Sequence, residues 1–470
     1  MMKINYDSTF EVKVPKDPFQ RIIGQDEAVE IAKIIPIQRR HLLLVGPPGT
    51  GKSMIAKAIA SVMPKPKYEI SILDNPQNSE KPIVEIRTKE QIENEEKNKK
   101  KYGQVVSPYD VPAFVAERLG FRCKRCGSFS DYNEKICPIC SAEKFFPGPF
   151  ERAAEQSGRP MVATTRRSFN GKSEIIIYER NEEGEIVMLT QEELKKAEDA
   201  RKTKRNIIVP LDRSTFVQAT GATETELLGD IRHDPYGGHQ QIGTPTYLRV
   251  LPGAVHLAHE GVLFIDELST LGEVQRHLLT AMQEKVFTIV GHNPMSSGAA
   301  VRVEKVPCDF IFVGATNIND LKYIIPPFRS RIRGEGYEVL INAWMEDNQK
   351  NVEKIIQFIA QEIEKDGKIP HADKGAIEEI IKEARRIAKS IDNVDALTLR
   401  LRNLAGVIKL AGDLAKKEES ELIERKHILA AVKIGRPIEE QLKEKYGNLW
   451  KSGLADYGVE NTSKSGSEVA

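Results

Sequence analysis

No one sign of charge dominates this chain. Lysine and arginine number 69 against 68 aspartates and glutamates, a formal net charge of +1, so no global field draws it to nucleic acid or to an anionic membrane. Long apolar runs are missing as well. No stretch approaches the ~18 residues of a membrane span, and the opening Met1-Met2-Lys3-Ile4-Asn5-Tyr6-Asp7 lacks the features of a signal peptide. Membrane anchoring is therefore not expected, and a cytoplasmic protein is. Cysteine is scarce: of five, four stand in metal-type spacing, which argues for a reducing compartment and against a disulfide framework. The 470 residues, 29% of them charged, leave room for two or three domains.

What is present begins with Gly46-Pro47-Pro48-Gly49-Thr50-Gly51-Lys52-Ser53. The stretch fits G-x-x-x-x-G-K-[ST] in full. The apolar run His41–Val45 before it reads as a buried parallel strand, and Met54–Val62 reads as a helix beginning at the Lys-Ser pair. In that context the glycines let successive backbone N–H groups turn toward phosphates, and the helix N-terminus adds partial positive charge. Lys52 reaches the β- and γ-phosphates, and the Ser53 hydroxyl serves as a Mg²⁺ ligand. An ordinary glycine-rich turn is the bland alternative. The expectation is a nucleoside triphosphate site.

Such a site needs an acidic strand, and Gly261-Val262-Leu263-Phe264-Ile265-Asp266-Glu267 supplies one. Adjacent carboxylates after four apolar residues are costly to bury unless they sit at the strand's C-terminal edge, facing the metal. Asp266 would hold Mg²⁺ through water and Glu267 would polarise the attacking water. A third apolar run, Phe310–Thr316, ends at Asn317, placed to orient that water or merely to start a turn. Pro326-Pro327-Phe328-Arg329-Ser330-Arg331-Ile332-Arg333 then sets three arginines on a helix-like stretch. Arginine stabilises the negative charge that spreads during phosphoryl transfer, often from a neighbouring subunit; a solvated basic face is the plainer reading.

The order of these motifs resembles AAA+ ATPases, and their wording is similar to the ATPase region of archaeal Lon proteases. The resemblance rests on Ile22–Val29, Glu226–Pro235, Leu278–Lys285, Met295–Ala299, Pro307–Phe310 and Arg329–Gly334. It implies an α/β fold, a P-loop parallel sheet flanked by helices with a C-terminal α-helical lid, to which the cysteine spacing below adds a zinc-ribbon-like insertion. It further implies that Asn317 is sensor 1, that Arg331 (or Arg329) is the arginine finger, and that Arg402 (with Arg400 the near neighbour) is sensor 2. Gly24-Gln25 falls where such ATPases contact adenine, and Val286–Val306 reads as a hairpin before sensor 1. An aromatic that grips polypeptide is assigned to Tyr236, with Tyr247 as the alternative.

The domain reading places the nucleotide-binding core at 1–73 and 206–344, an insertion at 74–205, the lid at 345–440 and a tail at 441–470. The lid assignment comes from apolar residues at helical spacing in 351–359, 376–388 and 397–414, and the polar end, 461–470, reads as disordered. Archaeal Lon proteases continue into a Ser–Lys peptidase domain, whereas this chain stops soon after the lid, so intrinsic peptidase activity is not expected.

Inside the insertion, Cys123-Lys124-Arg125-Cys126 and Cys137-Pro138-Ile139-Cys140 form two C-x₂-C knuckles within 118–150. Four thiolates suit tetrahedral Zn²⁺ with Zn–S distances of ~2.3 Å and leave no open position for catalysis, so the zinc is structural. Redox pairs or disulfides are the rivals. Phe121, Phe129, Tyr132, Phe145, Phe146 and Phe150 gather around the knuckles, as a substrate- or partner-recognition face or, the plainer account for most of them, as the small core such a module needs. Relatives in the resembled family usually carry membrane helices in this insertion; this chain has cysteines instead. Cys308 reads as a buried core residue.

Three functions follow. The first is an ATP-driven protein remodeller working as a ring, expected to be hexameric, with ATP, Mg²⁺ and Zn²⁺ as cofactors and polypeptide as substrate. The second is the motor half of a Lon-type protease whose peptidase comes from a separate chain. The third is a zinc-containing nucleic-acid motor, against which the neutral net charge counts.

Overall fold

The computed structural model describes residues 4–100, 103–144, 160–167, 173–181, 184–194, 205–234, 243–291, 301–436, 438, 441, 442 and 444. Its centre is a five-stranded parallel sheet. The strands are β1 (His41–Val45), β2 (Phe216–Gln218), β3 (Val262–Ile265), β4 (Ile311–Thr316) and β5 (Gly336–Leu340), in spatial order β5-β1-β4-β3-β2. β1, β3 and β4 are buried along their whole length, as expected of a parallel sheet covered on both faces.

Strand alternation sorts the side chains into two cores. Leu42, Leu44, Val262, Phe264 and Val313 pack against α1 (Asp26–Gln38) and α2 (Lys52–Ser61). Leu43, Val45, Leu263, Ile265 and Phe312 face the other way, against helix Val274–Glu284 and α3 (Pro326–Glu335). Pro326 and Pro327 open α3, where a missing N–H costs nothing. The register sets Val45 beside Thr316 and Ile265 beside Gly314, so the segments that follow β1, β3 and β4 leave from one edge.

After α2 the chain departs from this sheet. Tyr68–Leu73 pairs antiparallel with Ile83–Thr88 and Arg205–Val209. Residues 68–73, grouped with the core in the sequence reading, thus lie in a separate layer, whose core also takes in Ile231, Tyr247, Ile289 and Val303. Val286–Val290 and Arg302–Pro307 form an antiparallel hairpin beside it. A four-stranded antiparallel sheet follows, built from Gln104–Val106, Ile186–Thr190, Ser173–Arg180 and Met161–Arg167 in that spatial order. It carries helix Ala113–Arg118 and the cysteines.

The exit and return of the insertion are clamped together at the foot of β3. The Arg213 guanidinium donates to the carbonyls of Tyr68, Pro210 and His259 and pairs with Glu260 at 3.2 Å. Glu260 in turn accepts from the N–H groups of Lys67 and Tyr68.

The C-terminal region is a bundle of α4 (Gln349–Asp366), α5 (Lys374–Ile387), α6 (Leu401–Lys417) and α7 (Arg425–Ile434), closed on an aliphatic core. Asn348 caps α4 by accepting from Asn351 N–H, and Gly367, left-handed at φ 66°, ends it. The architecture is that of a P-loop α/β sheet with a cysteine-bearing insertion and a helical lid. Among the described residues, no helix is long and apolar enough to cross a membrane.

Candidate functional site

The phosphate loop leaves β1 and enters α2 through two left-handed glycines, Gly49 at φ 77° and Gly51 at φ 92°. Gly49 is also a close-approach position, since a Cβ there would lie 2.8 Å from Arg402 Cβ. Lys52, almost fully buried, donates from Nζ to the carbonyls of Gly46 and Pro47, both at 2.8 Å. Burial pulls its pKa below the ordinary lysine value; Asp266 opposes that shift and Arg402 adds to it. Thr50 ties the loop by donating its hydroxyl to the Pro47 carbonyl at 2.8 Å.

Asp266 follows β3 directly, and Glu267 adopts a left-handed conformation at φ 53° and ψ 47°. For a non-glycine residue this costs about 1 kcal/mol and occurs where the surroundings impose it. Asn317, just past β4, donates from Nδ2 to Asp320 at 3.1 Å. From the lid, the Arg402 N–H donates to the Gly49 carbonyl at 3.3 Å, seating the first turn of α6 on the loop. Arg400 is held elsewhere, in a two-pronged pair with Asp392 at 2.7 and 3.2 Å.

A cleft of about 340 Å³ between core and lid gathers these groups: Pro48, Gly49, Gly51, Lys52 and Ser53 from the loop, Asp266 and Glu267, Asn317, and Arg402. Gly46, Pro47 and Thr50 shape the loop without lining the cleft. Gln25 does not line it either. Its side chain pairs with both backbone groups of Asn342, at 2.8 and 2.9 Å, where the core passes into the lid. The sequence reading missed the rest of the lid wall, Phe358, Glu362, Lys365, Leu401, Ala405 and Lys409. The signal for Lys409 was available, since it stands seven residues after Arg402 and so on the same helix face.

Arg331 is not in this cleft. It lies on α3, ahead of β5, at the opposite edge of the sheet, in a cleft of about 100 Å³ with Arg39, Arg40, His41, Lys285 and Glu335. Its guanidinium pairs with Glu335 at 2.8 Å. Arg329 is committed to Glu338 through two hydrogen bonds of 2.7 and 3.1 Å. His41 accepts on Nδ1 from the Phe312 N–H, and burial first, then the charge of Arg331, lowers its pKa to about 4. Cys308 is fully buried nearby, with its thiol pushed up to about 12 by burial.

In the insertion, the Sγ atoms of Cys123, Cys126, Cys137 and Cys140 lie within 4.8 Å of one another. Two pairs, Cys123–Cys140 and Cys126–Cys137, are 3.6 Å apart. A tetrahedron with Zn–S of ~2.3 Å needs sulfurs about 3.8 Å apart, so the donor set fits zinc. The two knuckles repeat one turn: Gly127 N–H donates to the Cys123 carbonyl and Ser141 N–H to that of Cys137, both at 2.9 Å, with Gly127 and Ser141 left-handed. Phe121, Phe129 and Tyr132 pack into the module core, the last beneath the Arg180 guanidinium at 4.5 Å. Phe145, Phe146 and Phe150 lie outside the described residues, as do Tyr236 and the tail from 445. Tyr247, the alternative gripping residue, is corrected: it is 6% exposed in the core of the layer beside the hairpin and has no face to offer a polypeptide.

A P-loop, an acidic strand tip and an asparagine on adjacent parallel strands, closed by a helical lid, define an AAA+ ATPase. Comparison with known families agrees. Residues 18–97 match the family described as Magnesium chelatase, subunit ChlI, and residues 247–319 match the Sigma-54 interaction domain. The chain belongs to the Lon family. It is 50% identical to a Lon protease homolog of Methanothermobacter thermautotrophicus over 95% of this chain and 92% of that one. A Lon protease homolog of Thermoplasma volcanium is 49% identical over 97% of this chain and 94% of its own. The archaeal Lon protease of Archaeoglobus fulgidus is 39% identical over 94% of this chain, which spans 64% of that relative's length.

Proposed function

We propose that the chain is the motor of a ring-shaped, ATP-hydrolysing remodeller of polypeptides, acting in the cytoplasm. One observation carries the reading. The core–lid cleft holds Lys52, Asp266, Glu267, Asn317 and Arg402, while Arg331 lies at the other edge of the same sheet. Each chain thus supplies a nearly complete pocket and, elsewhere, the cation that completes a neighbour's. The expected ring is a hexamer.

In this mechanism the loop N–H groups and Lys52 hold the β- and γ-phosphates. Ser53 and Asp266, a hydroxyl and a carboxylate facing one cleft, are the oxygen donors that suit Mg²⁺, which neutralises phosphate charge when bound. Glu267 takes a proton from the attacking water, and Asn317 orients that water. Arg402 reports the nucleotide's state to the lid through its seat on Gly49, and Arg331 meets the spreading charge from the next subunit. The four cysteines hold a structural zinc that folds the insertion and takes no part in hydrolysis.

Peptide-bond hydrolysis is assigned to none of these residues. The chain spans 64% of the length of the archaeal Lon protease it matches, so that relative's peptidase activity is not carried over to these residues. A motor that serves a separate peptidase is the second reading. Two measurements decide. ATP turnover should rise with unfolded casein and stay flat with DNA or RNA at low salt, and the casein should remain uncut. Nucleic-acid stimulation that falls with ionic strength would replace this reading with the nucleic-acid motor.

A further inference from the structure

Lys409 lines the same cleft wall as Arg402. It stands seven residues further along α6, two turns on and on the same face. Helical side chains lean toward the N-terminus, which for Lys409 is the direction of Ala405, Arg402 and the loop. The cleft that it lines also holds Asp266, Glu267 and Asn317, the groups around a terminal phosphate.

Among the described residues, the ion pair it makes is a loose one. Lys409 Nζ is 4.0 Å from Glu362 Oε2, while Lys365 Nζ is 3.5 Å from Glu362 Oε1. The Glu362 side chain is 12% exposed, so one largely desolvated carboxylate is shared by two ammonium groups across α4 and α6. A lid brace alone would explain a close pair remote from the phosphate loop. A stretched pair in the nucleotide cleft is an ammonium held in reserve.

We infer that Lys409 is a further nucleotide-contacting residue, which exchanges the Glu362 carboxylate for the γ-phosphate and so favours ATP over ADP. Glu362 is a positioning residue that competes with the phosphate for this cation. The inference rests on the core–lid cleft being the nucleotide site. No bond is made or broken in the exchange. The lid helices α4 and α6 lose one tie when the triphosphate is bound and recover it once the γ-phosphate has left, which links hydrolysis to lid position.

The test is equilibrium binding of AMP-PNP and of ADP, each with Mg²⁺, to the full chain. Lys409→Gln should weaken AMP-PNP about fivefold, the size of a charge-assisted contact discounted for partial exposure, and leave ADP within about twofold. Glu362→Gln should act with the opposite sign and tighten AMP-PNP about twofold. The double variant should lose that gain, and Lys417→Ala, exposed at the far end of α6, should match the parent. Equal weakening of both nucleotides by Lys409→Gln, or weakening by Glu362→Gln, would overturn the exchange and leave a structural brace. The sign for Glu362→Gln decides even should Lys409→Gln fail to fold. Lys52→Ala separates the two levels: if it still binds both nucleotides, the cleft assignment is at fault; if it binds neither, a null result at Lys409 counts against this inference alone.

Discussion

The two edges of the central sheet are chemical opposites. At the C-terminal edge stand glycines, two carboxylates, an asparagine and one buried lysine, with the lid seated above them. At the N-terminal edge of the same strands stand Arg39, Arg40, Lys285 and Arg331 around a buried histidine. Strand direction produces this division, because parallel strands bring all their exits to one side and all their entries to the other. Neither edge is a complete catalyst: the first has no arginine from α3, and the second has no phosphate loop. Repeating the chain around an axis would set one against the other, which is the physical argument for a ring.

The largest expected effect tests that division directly. Arg331→Ala should keep ATP binding and lower turnover about a thousandfold, whereas Glu267→Gln should do the same by removing the base. Mixed before assembly, the two inactive variants should recover part of the turnover, since some sites then pair an intact Glu267 with an intact Arg331 from the neighbour. An unrecovered mixture would mean that Arg331 acts within its own chain, and the contrast between the edges would lose its meaning. Arg329→Ala, already bound to Glu338, should cost far less than Arg331→Ala.

The next effect belongs to the cationic edge. His41 is neutral in the fold, with a pKa near 4 against 6.5 in the unfolded chain. As pH falls from 6.5 to 4 the unfolded chain takes up a proton that the folded one refuses, so stability declines across that window and levels below it. The full loss is about 3 kcal/mol for one such group. His256 behaves alike, its pKa lowered to about 4 by complete burial, with Nδ1 accepting from Gly253 N–H and Nε2 donating to the Phe287 carbonyl. His41→Asn, which keeps an acceptor for Phe312 N–H, should remove about half of the acid loss in a denaturant series from pH 7 to 4. An unchanged slope would place the acid-sensitive group away from this edge.

The phosphate loop edge was legible because each of its parts is local. An apolar run, two glycines and a lysine opening a helix lie within one short segment, and the Asp266–Glu267 tip carries its own run. Tyr68–Leu73 shows a signal that was read too coarsely. Glu69 and Ser71 alternate with Ile70 and Ile72, the pattern of an antiparallel strand, while Leu42–Val45 is continuously apolar. β2 has only three residues, too few for any period to register. Glu362 lay beyond reach for a different reason: no local pattern says which face of α4 the lid turns toward the loop. Lys409 needed only the helical count from Arg402.

A smaller effect should follow from Gly49, where the acidic edge meets the lid. A Cβ there would collide with Arg402 Cβ at 2.8 Å, and the φ of 77° would be strained by any other residue. Gly49→Ala should raise KM for ATP about tenfold and lower thermal stability without nucleotide more than Gly51→Ala does. Gly51→Ala shares the backbone strain, at φ 92°, but meets no neighbour within 4 Å, so the difference between the two variants isolates the lid contact.

The smallest effect on turnover is expected from the zinc module, and its smallness is informative. The four cysteines lie in an insertion whose two ends meet at the Arg213–Glu260 clamp, at the foot of β3 rather than at the Asp266 tip. Chelation, or Cys123→Ser with Cys137→Ser, should release about one equivalent of zinc and unfold the knuckles, since the module's own aromatic core is small. Basal ATP turnover should stay within about twofold of the parent, because no group at either edge of the sheet depends on the module. Casein-stimulated turnover is the sharper reading. If it falls while basal turnover holds, the insertion handles the polypeptide and the sheet edges handle the nucleotide. If basal turnover falls as well, the clamp transmits strain along β3 to Asp266, and the two edges are coupled through that strand.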